Sequence, residues 1–207
     1  MIAFFQHLFA LDFPWFFDQY GTAIYLVLFL IIFIETGLVA MPFLPGDSLL
    51  FTAGLFCKSG QLEILVLLPL LLTAAVLGDN INYWVGRRLG LSVFQWNFRG
   101  KPLVKKAYLE RTEKFFLQYG NFAVVMGRFI PFVRTFTPFA AGIAKMDYRK
   151  FIVIDVIGGI LWIGSMMMAG YLLGEIPWIR EHVDLIAVGI VAISVAPLLI
   201  SLLRRKK

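Results

Sequence analysis

Charges interrupt almost every apolar stretch of this sequence, and that limits its fold more than any other feature. A helix needs about 20 apolar residues to cross roughly 30 Å of hydrocarbon. Only Val156 to Gly174 and Leu185 to Leu203 come close without a charge. Thr22 to Ile34 runs into Glu35, Ile64 to Gly78 into Asp79, and Phe115 to Gly127 into Arg128. Apolar residues make up 60% of the chain and charged ones only 15%, beyond the balance of a water-soluble globule. The chain is therefore expected to be membrane-embedded, with several charges at membrane depth. A single cysteine, Cys57, excludes a disulfide scaffold and a cysteine-ligated metal site. Met1 to Ile34 carries no Lys or Arg, which argues against a cleavable signal with its basic leading region.

The basic residues select the sides. Between Arg87 and Lys114 stand eight Lys and Arg against Glu110 and Glu113, which marks that segment as cytoplasmic. The tail Arg204-Arg205-Lys206-Lys207 is placed inside by the same rule. Gly174 to Asp184 holds Glu175, Glu181 and Asp184 against Arg180, so it belongs outside, and Lys145, Arg149 and Lys150 fall inside. The net charge of +6 is thus orientation information, and no solvated basic face remains for nucleic acid. Asn121 to Ala144 then begins and ends on the cytoplasmic side, with Arg128, Pro131, Arg134 and Pro138 inside it. Its simplest form is a re-entrant hairpin, which survives at that depth only when buried in protein or lining a wet cavity.

Self-comparison finds a repeat. Phe16-Phe17-Asp18-Gln19-Tyr20-Gly21 matches Phe115-Phe116-Leu117-Gln118-Tyr119-Gly120 at five of six positions. Each copy leads into a Pro-punctuated segment, ending at Ala53-Gly54 or Ala141-Gly142, and then into one long helix, Ile64 to Gly86 or Phe151 to Leu173. The charge pattern opens the first hairpin outward and the second inward, so the repeat is inverted, an architecture of secondary transporters that places the substrate at the repeat interface. The expected fold is an all-α polytopic membrane protein with two re-entrant helical hairpins, amphipathic interfacial helices and membrane-spanning helices. It forms a single domain over residues 1–207. Repeat one covers about 1–86 and repeat two about 101–174, with an extra C-terminal helix over 184–203. Lys101 to Tyr119 reads as an interfacial helix, with Pro102 in its first turn and Glu110 and Lys114 at i, i+4 spacing. Met1 to Phe17 reads as its outer counterpart.

An ionisable group inside the membrane is costly and marks a site by default. Glu35 and Asp47 lie in the first hairpin, on different legs, and Arg128 and Arg134 flank Pro131 in the second. Hairpins meeting tip to tip would set two acids against two guanidiniums. Arg offers a fixed fork of donors that matches phosphate oxygens and stays charged when buried, so Arg128 and Arg134 are the candidate substrate ligands. Glu35 and Asp47 are the candidate proton carriers. The same four residues would also make a static clamp, and Asp47 in Pro45-Gly46-Asp47-Ser48 could simply cap the following leg. Asp79, Asn82 and Asp155 form a secondary polar path or pair with backbone at helix ends. Gly158, Gly159, Gly164 and Gly170 are read as packing positions.

Signatures of hydrolases, P-loop enzymes and dinucleotide enzymes were sought and not found. His7 and His182, the only two histidines, lie at expected outer edges, leaving no site for a histidine nucleophile. No metal, cofactor or enzymatic activity is expected.

Glu35-Thr36-Gly37, the run from Pro42 to Phe51, Gly78-Asp79 with Asn82-Tyr83, and Gly127 to Thr135 through Ala141-Gly142 closely resemble the bacterial DedA family of inner-membrane proteins. That family is itself similar in architecture to the eukaryotic VTT-domain lipid scramblases. The resemblance covers nearly the whole chain. It implies a multi-pass transporter of the bacterial inner membrane, driven by the proton-motive force and needed for envelope integrity. It also implies a lipid cargo, undecaprenyl phosphate or a phospholipid such as phosphatidylethanolamine. The family's essential acidic pair corresponds to Glu35 and Asp47, and its arginine pair to Arg128 and Arg134.

The expected function is movement of a phosphate-bearing lipid, foremost undecaprenyl phosphate, between leaflets with proton coupling. The C-terminus is expected to be cytoplasmic, and the partners are the lipid, protons and, in one form, a second copy of the chain. Two rivals stand beside it. One is a proton-coupled antiporter of small cations or drugs, and the other is a non-transporting assembly factor in the membrane.

Overall fold

The computed structural model describes residues 13–37, 46–89, 97–98, 101–102 and 122–182, with positions 186 and 189. Eight helices follow one another in these residues: α1 (Phe13–Gly37), α2 (Gly46–Lys58), α3 (Ile64–Leu89), α4 (Ala123–Gly127), α5 (Pro131–Arg134), α6 (Phe136–Ile143), α7 (Tyr148–Leu173) and α8 (Pro177–Glu181). Between α3 and α4 lies a two-residue antiparallel ladder, β1 (Asn97–Phe98) with β2 (Lys101–Pro102). This ladder corrects one expectation, since Lys101 and Pro102 do not open an interfacial helix. Pro102 lacks an N–H and suits a short edge strand, where no ladder bond need be lost. Residues 103–121, which include the second copy of the repeated hexapeptide, lie outside the described residues. So do the start of the chain and most of the helix expected over 184–203.

The breaks fall where backbone chemistry puts them. α1 carries Pro14 at its second residue and ends at Gly37; most of the expected outer interfacial segment, Met1 to Phe17, lies outside the described residues. α2 opens with Gly46 and Asp47, an acid in the first turn where the helix dipole favours it. It closes at Gly60, whose φ of 83° is the left-handed conformation that glycine adopts without strain. After α4, Pro131 forces Ile130 into extended backbone, with φ −113° and ψ 108°, and then sits at the first position of α5. The continuous helix is thereby divided into α4, α5 and α6.

α3 and α7, each 26 residues long, are the two helices among the described residues long and apolar enough to cross a membrane. Pro69 lies in the second turn of α3. Asp147 Oδ1 accepts a hydrogen bond from the Lys150 N–H at 3.1 Å and so caps α7.

Two compact units divide the chain: Met1–Leu30, Phe43–Leu70 and Ile163–Lys207 make the first, and Ile31–Pro42 with Leu71–Trp162 the second. In the first, α2 packs on the C-terminal part of α7 through glycines. A Cβ on Gly54 would strike the Met167 carbonyl, and one on Gly170 would strike the Phe51 carbonyl. Lys58, ending α2, bonds Glu175 just past α7 at 2.7 Å.

The second unit contains the same arrangement built from other helices. A Cβ on Gly142 of α6 would strike the Tyr83 carbonyl, and one on Gly86 of α3 would strike the Phe139 carbonyl. Arg87 Nη1 donates to the Met146 carbonyl at 3.0 Å, beside the Tyr83 hydroxyl that donates to the same oxygen. Gly86 and Gly170 each stand three residues before the end of their helix. α2 and α6 thus each lie against the far end of the long helix of the other half of the sequence. Tyr83 stacks on Phe151 with centroids 4.5 Å apart, at the centre of a core with Val124 and Ala141.

Candidate functional site

Five charged side chains are buried among the described residues, and all five belong to the second unit: Glu35 and Asp155 at 0%, Asp79 at 2%, Arg128 and Arg134 at 3% exposure. Burying one charge without a partner costs several kcal/mol, so their pairing decides what the site can do.

Arg134 closes α5 and bonds the Glu35 carboxylate through Nη2. Its guanidinium also lies over the ring of buried Trp162, 4.8 Å from the centroid, a cation–π contact that gains strength without water. Glu35 is positioned by the close approach of α1 to α3. Gly78 faces Thr36 and Gly37 so closely that a Cβ there would strike the Thr36 hydroxyl, and Asn82 donates its side-chain amide to the Thr36 carbonyl. Thr36 Oγ1 in turn bonds back to the Ile32 carbonyl at 2.9 Å.

Arg128 has two acids. It caps the C-terminus of α4, and its Nη2 donates to Asp79 on α3 and to Asp155 on α7, the latter at 2.7 Å. The rest of the guanidinium lies against Gly158 and Gly159. An added Cβ on Gly158 would approach Arg128 Cδ to 3.0 Å and Nε to 3.3 Å, and one on Gly159 would lie 3.6 Å from Nη1. These two glycines form a slot for an arginine, whereas Gly170 serves helix packing and Gly164 faces open space. Asp155, Gly158 and Gly159 share one helix face at i, i+3 and i+4.

The structure pairs two members of the quartet expected of the sequence. Glu35 does meet an arginine, Arg134. Asp47 belongs to the first unit, in the first turn of α2. The acids on Arg128 are Asp79 and Asp155, assigned from sequence only to a secondary polar path, and Asn82 of that path anchors backbone. Their signal in the sequence was position, since each interrupts one of the two longest apolar helices.

A groove of about 770 Å³ opens on the same unit, lined by Phe33, Leu77, Ile81, Trp84, Val85 and Leu89, with Asn80 and Arg88 its polar members.

Comparison with known proteins places these features in a family. The VTT domain matches residues 44–172. The protein DedA of Escherichia coli K12 is 42% identical over 91% of this chain and 86% of its own. An uncharacterized membrane protein of Mycobacterium leprae is 43% identical over 83% of this chain and 76% of its own. The inner membrane protein YghB of Escherichia coli K12 is 34% identical over 88% and 82%. No solved structure matches.

Proposed function

The chain belongs to the DedA family of VTT-domain membrane proteins, and on that premise we propose that it carries a phosphate-bearing lipid between the leaflets of the bacterial inner membrane, coupled to protons. Undecaprenyl phosphate is the foremost cargo. The observation that carries this reading is the buried state of Arg128 and Arg134, each gripped by carboxylates. Such a guanidinium is an anion site already filled by an internal anion. A lipid phosphate entering it replaces a carboxylate oxygen, and protonation of that carboxyl releases the arginine for the exchange. Anion and proton then favour each other's binding, which is the thermodynamic content of coupling. Glu35 performs this role on Arg134, and Asp47 is the second proton carrier.

Two further observations support the reading. The groove beside Trp84 has apolar walls for a lipid tail and Arg88 for its phosphate. The glycine contacts of α2 with α7 and of α6 with α3 have the form of two related halves. Arg87, at the end of α3, meets the turn before α7, which sets two basic clusters on one side, and the positive-inside rule makes that side cytoplasmic. With that side cytoplasmic, the charge pattern of the sequence makes the repeat inverted and the C-terminus cytoplasmic.

The deciding experiment is a leaflet-resolved translocation assay in proteoliposomes holding labelled undecaprenyl phosphate or phosphatidylethanolamine, with and without a pH gradient. Transport of either that requires Arg128 and Arg134 is expected. Uptake of a soluble cation that depends on Glu35, without lipid movement, would favour an antiporter instead.

A further inference from the structure

We propose that Asp79 and Asp155 together hold one proton, which makes this acid pair, beyond Glu35 and Asp47, a proton-binding site of the protein. The argument begins with charge. Among the five buried charged residues, Glu35 and Arg134 neutralise one another, while Arg128 alone stands against two carboxyls. Doubly ionised, that triad would leave one negative charge uncompensated in a dry interior, and an acid pair sharing one cation avoids this by keeping one proton.

Hydrogen bonding gives the proton an address. Arg128 Nη2 serves Asp79 Oδ2 and Asp155 Oδ1. The other two oxygens, Asp79 Oδ1 and Asp155 Oδ2, are buried and have no hydrogen-bond partner among the described residues. Because both carboxyls accept from the one nitrogen, Arg128 Nη2, they are neighbours. One proton on either carboxyl turns one of these acceptors into a donor for the neighbouring carboxylate, and so relieves an unmet buried acceptor, a group otherwise costly to leave unpaired.

Among the described residues the charged groups around the pair are few. Arg128 faces it from the end of α4, and Arg134 lies on α5 in the same unit. Glu35 of α1 is engaged by Arg134, and the slot on α7 contributes only glycine backbone. The proton balance is simple: one carboxylate oxygen gains H⁺ from water to become a hydroxyl, and loses it to water on release. In the protonated pair one carboxyl loosens its hold on Arg128, which then accepts an anion. This coupling rests on the transport reading above, but the location of the proton does not.

Infrared spectra of the full-length protein in lipid nanodiscs at neutral pH, recorded in H₂O and in D₂O, test it. A protonated-carboxyl band that shifts in D₂O is expected in the wild type and in Asp47→Asn, and is expected to vanish in Asp79→Asn and in Asp155→Asn, where one acid and one arginine already balance. Carbon-13 labelling of aspartate in the wild type should move the same band, a check that needs no variant to fold. Absence of the band, its survival in both Asn variants, indifference to labelled aspartate, or its erasure by added sodium at constant pH would each overturn the proposal. The band as expected without lipid movement would leave the proton site standing and sink the transport reading. Lipid movement without the band would do the reverse.

Discussion

Asp155 Oδ1 lies 2.7 Å from Arg128 Nη2, the same nitrogen that Asp79 engages from another helix. One guanidinium nitrogen thus joins α3, the end of α4 and α7, and removal of different members has different consequences.

Arg128→Ala leaves two buried carboxyls without a cation and should destabilise the protein by about 3–5 kcal/mol, the usual cost of stranding a buried charge. Denaturant unfolding of the purified protein in detergent measures this. Lipid translocation should be lost in Arg128→Ala and in Arg134→Ala. Lys at either position should restore it only in part, because an ammonium lacks the planar fork.

Single Asn replacements at Asp79 or Asp155 keep one carboxylate for Arg128 and should leave unfolding nearly unchanged. The double replacement isolates the guanidinium and should cost about 3–5 kcal/mol. A double variant as stable as the two singles would show that the triad does not bear charge as described.

The glycines of α7 should separate into three classes. Gly170→Ala meets a backbone carbonyl that cannot move aside and should lower stability by about 1–3 kcal/mol, in the range of overpacking. Gly158→Ala presses on the Arg128 side chain, so its main loss should be in translocation. Gly164→Ala meets nothing within 4 Å and should stabilise by about 0.5–1 kcal/mol, the helix-propensity difference. Thermal unfolding of the three variants, alongside translocation, tests this order.

Exchanging the charges, Glu35→Arg with Arg134→Glu, separates transport from a static clamp. A clamp should survive the exchange. A carrier should lose translocation while the protein remains folded, since the exchange moves the anion-binding group from α5 to α1. Retained lipid transport in the swapped protein would refute a phosphate role for Arg134.

Much of this molecule was legible in its linear order. The interrupting charges, Pro131 and the Gly-terminated segments marked the membrane class, the two long helices and the break before α5, because hydrocarbon thickness and the steric demand of proline act on consecutive residues. The motifs around Glu35, Asp47, Arg128 and Arg134 carried the family. Partner choice was not legible. Glu35 reaches Arg134 only because Gly37 and Gly78 let α1 close on α3, and Arg128 reaches Asp79 and Asp155 only because α3 and α7 present those acids to a glycine slot. Spacing fixes which face of a helix a residue occupies, but the rotation and depth at which helices pack come from side-chain volumes across distant segments. That packing, decided only in three dimensions, brings two acids of the long helices, Asp79 and Asp155, onto one arginine.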